Sequence, residues 1–170
     1  NDVNVPAFFG EASLAGWANV VKAVHEAGGH IMPQLWHQGI VRRQGSGPHP
    51  EAPSMSPSGI SKPGGRQVAE PMTQADIDAV IMGFAKSAGY AKALGFDGVE
   101  LHGAHGYLID EFFWEGTNLR EDSYGGSIEK RTRFACEIAA AVRAAVGPDF
   151  PILLRFSQWK QQDFTARLVS

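Results

Sequence analysis

Two spacings of apolar residues run along this chain, one helical and one extended. After Ser13, the apolar residues Trp17, Val21 and Val24 recur at i, i+4 and i+7 until Gly28 and Gly29 supply a stop, which predicts a first helix. Residues 30–36, His-Ile-Met-Pro-Gln-Leu-Trp, read as a short apolar strand. Pro33 has no N–H to give a ladder, so it belongs near an irregularity or at the outgoing end of that strand. Thr73 opens a second helix with Asp76 in the capping-box position, and Ile77, Ile81, Phe84, Ala88 and Ala91 draw one face before Gly95 ends it. Residues 97–102 then read as a buried strand, 107–113 as a short helix or turn, and 118–126 as a polar turn. Ser127 starts a third long helix with Ile128, Ala135, Ile138, Val142 and Val146 facing inward, closed by Gly147 and Pro148. Residues 151–156 are a continuous apolar strand.

The order α-β-α-β-α-β, with amphipathic helices between continuous apolar strands, predicts a parallel sheet covered on its faces. Three strands neither close a barrel nor avoid two bare edges. Further strands are therefore expected on both sides, with residues 1–170 forming one partial domain of a longer chain. Residues 45–66 are rich in Gly and Pro and form a long loop, either a lid or binding loop or a disordered insertion.

Composition narrows the partners. The net charge is −3 and Arg and Lys are scattered, so no nucleic-acid stripe or polybasic membrane patch is present. No apolar run is long enough to span a bilayer. Cys136 is the one cysteine, which excludes an internal disulfide or a Cys-rich metal cluster within these residues and suggests a reducing cytoplasm. Its place in the helical pattern predicts a small buried hydrophobe. A small molecule is the expected partner.

The chemistry gathers at the predicted strand ends. Gln34, Trp36 and His37 follow the first strand, His102, His105 and Tyr107 follow the second, and Arg155 lies near the end of the third. In a parallel sheet such residues converge on one side. Two imidazoles and a phenol there suit a site that binds a carbonyl oxygen and delivers a proton. Other readings stay open from the residues alone. The two histidines form a satisfied structural pair, or a His-x-x-His metal site with Glu100, on the same strand face as His102, as third ligand. Tyr107 is a core aromatic with its hydroxyl at the rim. Arg155 pairs with Glu100, and Gln34 and Trp36 only pack. His25, His30 and His49 carry no motif.

Three longer strings carry a resemblance. Gln-Leu-Trp-His at 34–37, His-Gly-Ala-His-Gly-Tyr-Leu at 102–108, and Asn118, Arg120, Asp122 and Tyr124-Gly-Gly-Ser127 followed by Glu129, Arg131, Arg133 and Phe134 resemble the Old Yellow Enzyme family. These are the FMN-dependent NAD(P)H:flavin oxidoreductases, or ene-reductases, and the resemblance runs over roughly residues 14–160. It implies a (β/α)₈ TIM barrel of which the present strands are the third to fifth. It also implies FMN as cofactor, NADH or NADPH as reductant, and an enone-type small molecule as substrate. By the same resemblance Gln34 hydrogen-bonds the pyrimidine edge of the flavin and Arg155 sits by its N1–C2=O side. His102 and His105 hold the substrate carbonyl oxygen, Tyr107 donates the proton, and Trp36 shapes the pocket.

Each implied role has a physical reason. Reduction puts negative charge at the flavin N1 and C2 oxygen, which a fixed guanidinium favours. Hydride addition to an enone pushes charge onto the carbonyl oxygen, where each N–H donor is worth about 3 kcal/mol. The family's phosphate site belongs to the loops after strands seven and eight, outside these residues. Two alternatives accompany this reading: a metal-dependent hydrolase on the same barrel, and a partial barrel with no activity of its own that persists by self-association as a homo-oligomer. The 118–133 segment reads as structural, with a sharp turn at Tyr124-Gly-Gly, Ser127 as helix cap, and charges tying the loop to the rim.

Overall fold

Continuous apolar strands separated by helices do form a parallel sheet, and its strand order follows the chain. A computed structural model describes residues 4–42, 44–160 and 164–165. The elements are α1 (Glu11–Glu26), β1 (Gln34–Leu35), a 3₁₀ turn (Gly39–Val41), α2 (Gln74–Ala93), β2 (Val99–His105), α3 (Leu108–Phe113), α4 (Ile128–Val146) and β3 (Ile152–Lys160). The sheet order is β1-β2-β3, with both pairings parallel. A sequential order of this kind is how a barrel progresses, whereas a doubly wound sheet reverses at a switch point.

Register decides which side chains share a face. Gln34 lies opposite Glu100, and Leu35 opposite Leu101. Across the other edge of β2, Glu100 pairs with Leu153 and His102 with Arg155, and the register shifts between Gly103 and His105. Val99 and Leu101 therefore point one way and Glu100 and His102 the other. The first pair is buried in the core with Ile77, Phe84 and Ala88 of α2 and Phe134, Ile138 and Val142 of α4. The second face carries the chemistry.

Local signals explain most boundaries. Thr73 and Asp76 make the full reciprocal capping box, with Asp76 N–H donating to Thr73 Oγ1 at 3.2 Å and Thr73 N–H to the Asp76 carboxylate at 2.8 Å. Beyond α4, the Arg143 guanidinium donates to the carbonyls of Gly147 at 2.6 Å and Phe150 at 2.7 Å, which fixes the turn into β3.

Several expectations are corrected. The first strand reduces to Gln34–Leu35, with Pro33 at its incoming rather than outgoing end. Proline donates nothing, but its carbonyl accepts the Glu100 N–H at 3.0 Å, so the ladder begins there one-sidedly. β2 runs on to His105, so His102 lies inside the strand and not past it. β3 likewise runs past Phe156 to Lys160. Ile128, the first residue of α4, is 50% exposed rather than facing inward. Cys136 is exposed, on the side of α4 opposite the buried Ala135 and Ile138. Ser127 holds the N-cap position of α4 without a side-chain bond to the backbone. The 45–66 loop is not a disordered insertion. Ser56, Pro57 and Ile60 are buried, Ile60 bridges Gln67, and the buried Arg42 guanidinium donates to the carbonyls of Ser46 and His49.

Candidate functional site

The site is built at the turn from β2 into α3. His105 is the one non-glycine residue with positive φ, at 65°, among the described residues, and Gly106 follows at 86°. Such a conformation costs a β-carbon-bearing residue free energy and persists only where its surroundings hold it. Here they do. His105 N–H donates to Ser157 Oγ at 2.9 Å, and Gly106 N–H donates to Asp110 Oδ2 at 2.7 Å. The other oxygen of Asp110 accepts from Lys160 Nζ at 2.6 Å, in a pair that is almost wholly buried. β3 and α3 thus grip the turn from both ends. Tyr107 takes the N-cap position of α3, and the next N–H, that of Leu108, donates to His37 O at 3.1 Å, joining the turn to the segment after β1.

This framework brings the rings together. The centroids of His102 and His105 are 5.2 Å apart, those of His102 and Tyr107 5.3 Å, and those of Trp36 and Tyr107 4.6 Å. Trp36 also meets His102 edge-on at 6.4 Å. His102 is buried, whereas His105, Tyr107 and Trp36 are half-buried. His102 Nδ1 is buried without a protein partner, an orphaned polar atom that costs stability unless a ligand or solvent meets it.

Burial pushes the His102 imidazole down to about 4, helped by neighbouring His105 and Arg155 and opposed by Glu100. Burial and Arg155 also push His105 down. Both rings are therefore neutral near pH 7, and each offers one N–H donor. That is what an oxygen acquiring negative charge requires, without the pH sensitivity of an imidazolium.

A polar trio lies beside the rings. The Gln34 amide Nε2 donates to Glu100 Oε1, and Arg155 Nη1 stands 4.0 Å from the same oxygen. The Arg155 side chain is half exposed, so this contact does not consume its donors. All six predicted site residues, Gln34, Trp36, His102, His105, Tyr107 and Arg155, thus join one neighbourhood by register or ring contact. His37 stands apart in chemistry. Burial pushes its ring down to about 4, and its Nδ1 accepts the Gly39 N–H at 3.1 Å, which makes it a structural acceptor. The proposed Glu100 metal ligation is not supported: Glu100 is occupied by Gln34, and among the described residues no three His, Cys, Asp or Glu side chains converge to hold a metal.

Sequence reasoning missed three features. Trp159 stacks on His105 at 4.1 Å and 21°; its signal was the continued β pattern past Phe156. Asp110 and Glu111 are buried charges in the otherwise apolar segment 107–114, and charges embedded in such a run were the visible clue. At the opposite end of β2, Asp97 accepts from the Ile31 N–H at 2.7 Å and bonds both His25 and His30 at 3.0 Å, so two histidines without a motif clamp the strand's start. A cavity of about 600 Å³ under the long loop, lined by Pro53, Met55, Val68 and Met72, shares no residue with the ring cluster.

The donor set suits a flavin. A guanidinium, an amide and an orphaned imidazole on one face offer hydrogen-bond donors of the kind that the acceptor-rich pyrimidine edge of a flavin would need.

Comparison with known proteins agrees. Residues 3–167 match the family described as NADH:flavin oxidoreductase / NADH oxidase. The NADH oxidase of Thermoanaerobacter brockii is 44% identical over 146 residues, covering 85% of this chain and 22% of that protein. The 12-oxophytodienoate reductase 2 of Arabidopsis thaliana is 37% identical over 158 residues, covering 86% of this chain and 41% of that protein. The structure of morphinone reductase in complex with tetrahydroNAD superposes with a TM-score of 0.87 at 32% identity, over 98% of this chain and 50% of that one. The chain spans half or less of the length of these relatives.

Proposed function

The chain belongs to the NADH:flavin oxidoreductase / NADH oxidase family, and from that premise we propose that the intact protein uses NAD(P)H and FMN to reduce the activated C=C bond of α,β-unsaturated carbonyl compounds. The 170 residues act as one partial TIM-barrel domain contributing strands three to five. The observation that carries the reading is the convergence of His102, His105 and Tyr107 at the end of β2, with Arg155 in register beside His102.

In this reading Gln34 and Arg155 hold FMN, which when bound supplies the hydride to the substrate β-carbon. His102 and His105 donate N–H bonds to the substrate carbonyl oxygen and stabilise the charge that collects there. Tyr107 gives its phenolic proton to the α-carbon. Trp36, packed edge-on against Tyr107, keeps the phenol oriented and closes that wall of the pocket. Relatives named for reduction of oxophytodienoate and morphinone support a conjugated carbonyl as substrate class.

A second reading applies to these residues by themselves. Leu154 and Phe156 of β3 are 49% and 71% exposed, an apolar strand surface that favours self-association over independent activity. The test is direct. The intact protein is expected to purify with a flavin absorbance, to lose it on NAD(P)H addition, and to regain it with cyclohexenone as oxidant. A colourless protein, or a flavin that no enone reoxidises, overturns the proposal.

A further inference from the structure

We propose that Glu100 is a positioning residue: it fixes the Gln34 amide and moderates the charge of Arg155, and so sets the redox poise of the bound FMN. The inference rests on the flavin reading above and goes beyond it.

One carboxylate oxygen links all three strands. Glu100 Oε1 accepts from Gln34 Nε2 on one side and lies 4.0 Å from Arg155 Nη1 on the other. These contacts join all three strands, since Gln34 is in β1, Glu100 in β2 and Arg155 in β3. The Glu100 side chain is 24% exposed, so the carboxylate works in a partly dried setting where its field is weakly screened.

Two consequences follow from chemistry alone. An ionised carboxylate only accepts hydrogen bonds, so the amide nitrogen of Gln34 must face it. The O/N orientation of Gln34, otherwise free to flip, is thereby set. It leaves one N–H and the amide oxygen for a ligand edge with an adjacent acceptor and donor, as a pyrimidine edge has. Second, a carboxylate at the limit of ion-pair distance offsets part of the Arg155 charge without taking its donors. Less net positive charge near the flavin means less stabilisation of the reduced, more negative form. Glu100 also raises the proton affinity of His102, the one counterweight among that ring's neighbours, so its field reaches the substrate side of the site.

A purely structural role would be served by any acceptor of the same shape. Glu100→Gln separates the two. In the intact protein, titration of bound FMN against redox dyes is expected to give a higher midpoint potential in Glu100→Gln. Removing one negative charge favours the reduced form by about tenfold, which is about 30 mV for a two-electron couple. FMN bound at an unchanged or lowered potential overturns the role of Glu100 and leaves the flavin reading standing. A wild-type protein that binds no FMN overturns the flavin reading itself. If Glu100→Gln does not fold, Glu100→Asp keeps the charge but shortens its reach. Its expected result is a near-unchanged potential with FMN affinity lowered about tenfold, the loss of one charge-assisted hydrogen bond; unchanged affinity there also overturns the proposal.

Discussion

His102 and Tyr107 stand with their ring centroids 5.3 Å apart, the first from inside β2 and the second from the N-cap of α3. A neutral imidazole and a phenol at this spacing could, in the proposed reaction, address different atoms of one small conjugated molecule, the oxygen and the carbon next to its carbonyl. The spacing depends on a turn that contains a strained His105 and is gripped by Ser157 and Asp110.

Tyr107→Phe removes the acid and leaves the ring. In the intact protein, stopped-flow measurement is expected to show enone reduction slowed by about 10²–10⁴-fold. Flavin reduction by NAD(P)H needs no phenolic proton and is expected to stay within about twofold of wild type. Equal losses in both half-reactions would remove Tyr107 from its assigned role.

His102 is held neutral, and this has a pH signature. Its folded value lies at about 4, below the ordinary histidine value of about 6.5. Below pH 6.5 the unfolded chain takes up a proton that the folded ring refuses, so stability falls as pH drops through the window from 6.5 to 4. NMR of the ring carbons should show no titration of His102 between pH 8 and 5, whereas an exposed histidine titrates near 6.5. His102→Ala is expected to lower kcat/KM by about 10²-fold through loss of one oxyanion donor. His102→Asn, which keeps an N–H, should recover part of it.

How far the sequence discloses this arrangement depends on the range of the forces involved. Local signals were legible: Thr73 with Asp76 gave a helix start, and the strand formers Val99 and Leu101 gave the central strand. That the six candidate residues would gather on one side was legible from their strand-end positions, since parallel strands deliver their ends to one side. The lengths of β1 and β3 were not, because a two-residue ladder beside Pro33 and a register shift near Gly103 are set by neighbouring strands. The Lys160–Asp110 pair was equally hidden. It joins residues 50 positions apart, and nothing local marks which lysine a buried aspartate will meet.

That pair gives the third expectation. Lys160 and Asp110 are 0% and 1% exposed, and burial pushes the Asp110 carboxyl up while the ammonium holds it back. Lys160→Met leaves an unpaired carboxylate in the interior, at a cost of about 3–5 kcal/mol. Lys160→Met with Asp110→Asn removes both charges and should restore most of the stability, because the asparagine amide oxygen can still accept the Gly106 N–H. Chemical denaturation of the intact protein measures both. A double variant no more stable than Lys160→Met would mean that the charge pairing is not what holds this corner.

Glu111 carries the last prediction, and its sign is opposite to that of a surface carboxylate. The residue is buried, its Oε1 accepts the Ile40 N–H at 2.9 Å, and its Oε2 has no partner. Gly39 presses against it so closely that a β-carbon there would collide with Oε1. Burial pushes the carboxyl well above its ordinary value, so over a range of pH the folded residue keeps a proton that the unfolded chain has released. In the unfolded chain it ionises at about 4.3. Well below pH 4, both states hold the proton and the residue contributes no pH dependence. As pH rises, the unfolded state gains from ionisation while the folded state does not, so stability falls by up to about 1.4 kcal/mol per pH unit until the folded carboxyl itself ionises. Glu111→Gln keeps an oxygen for the Ile40 N–H and cannot ionise. Its unfolding free energy relative to wild type should therefore climb from near its pH 4 value as pH rises to 7, measured as a growing difference in urea midpoints. A difference that stays flat over that range would show that Glu111 is ionised in the fold, with a counter-charge supplied from elsewhere in the intact protein.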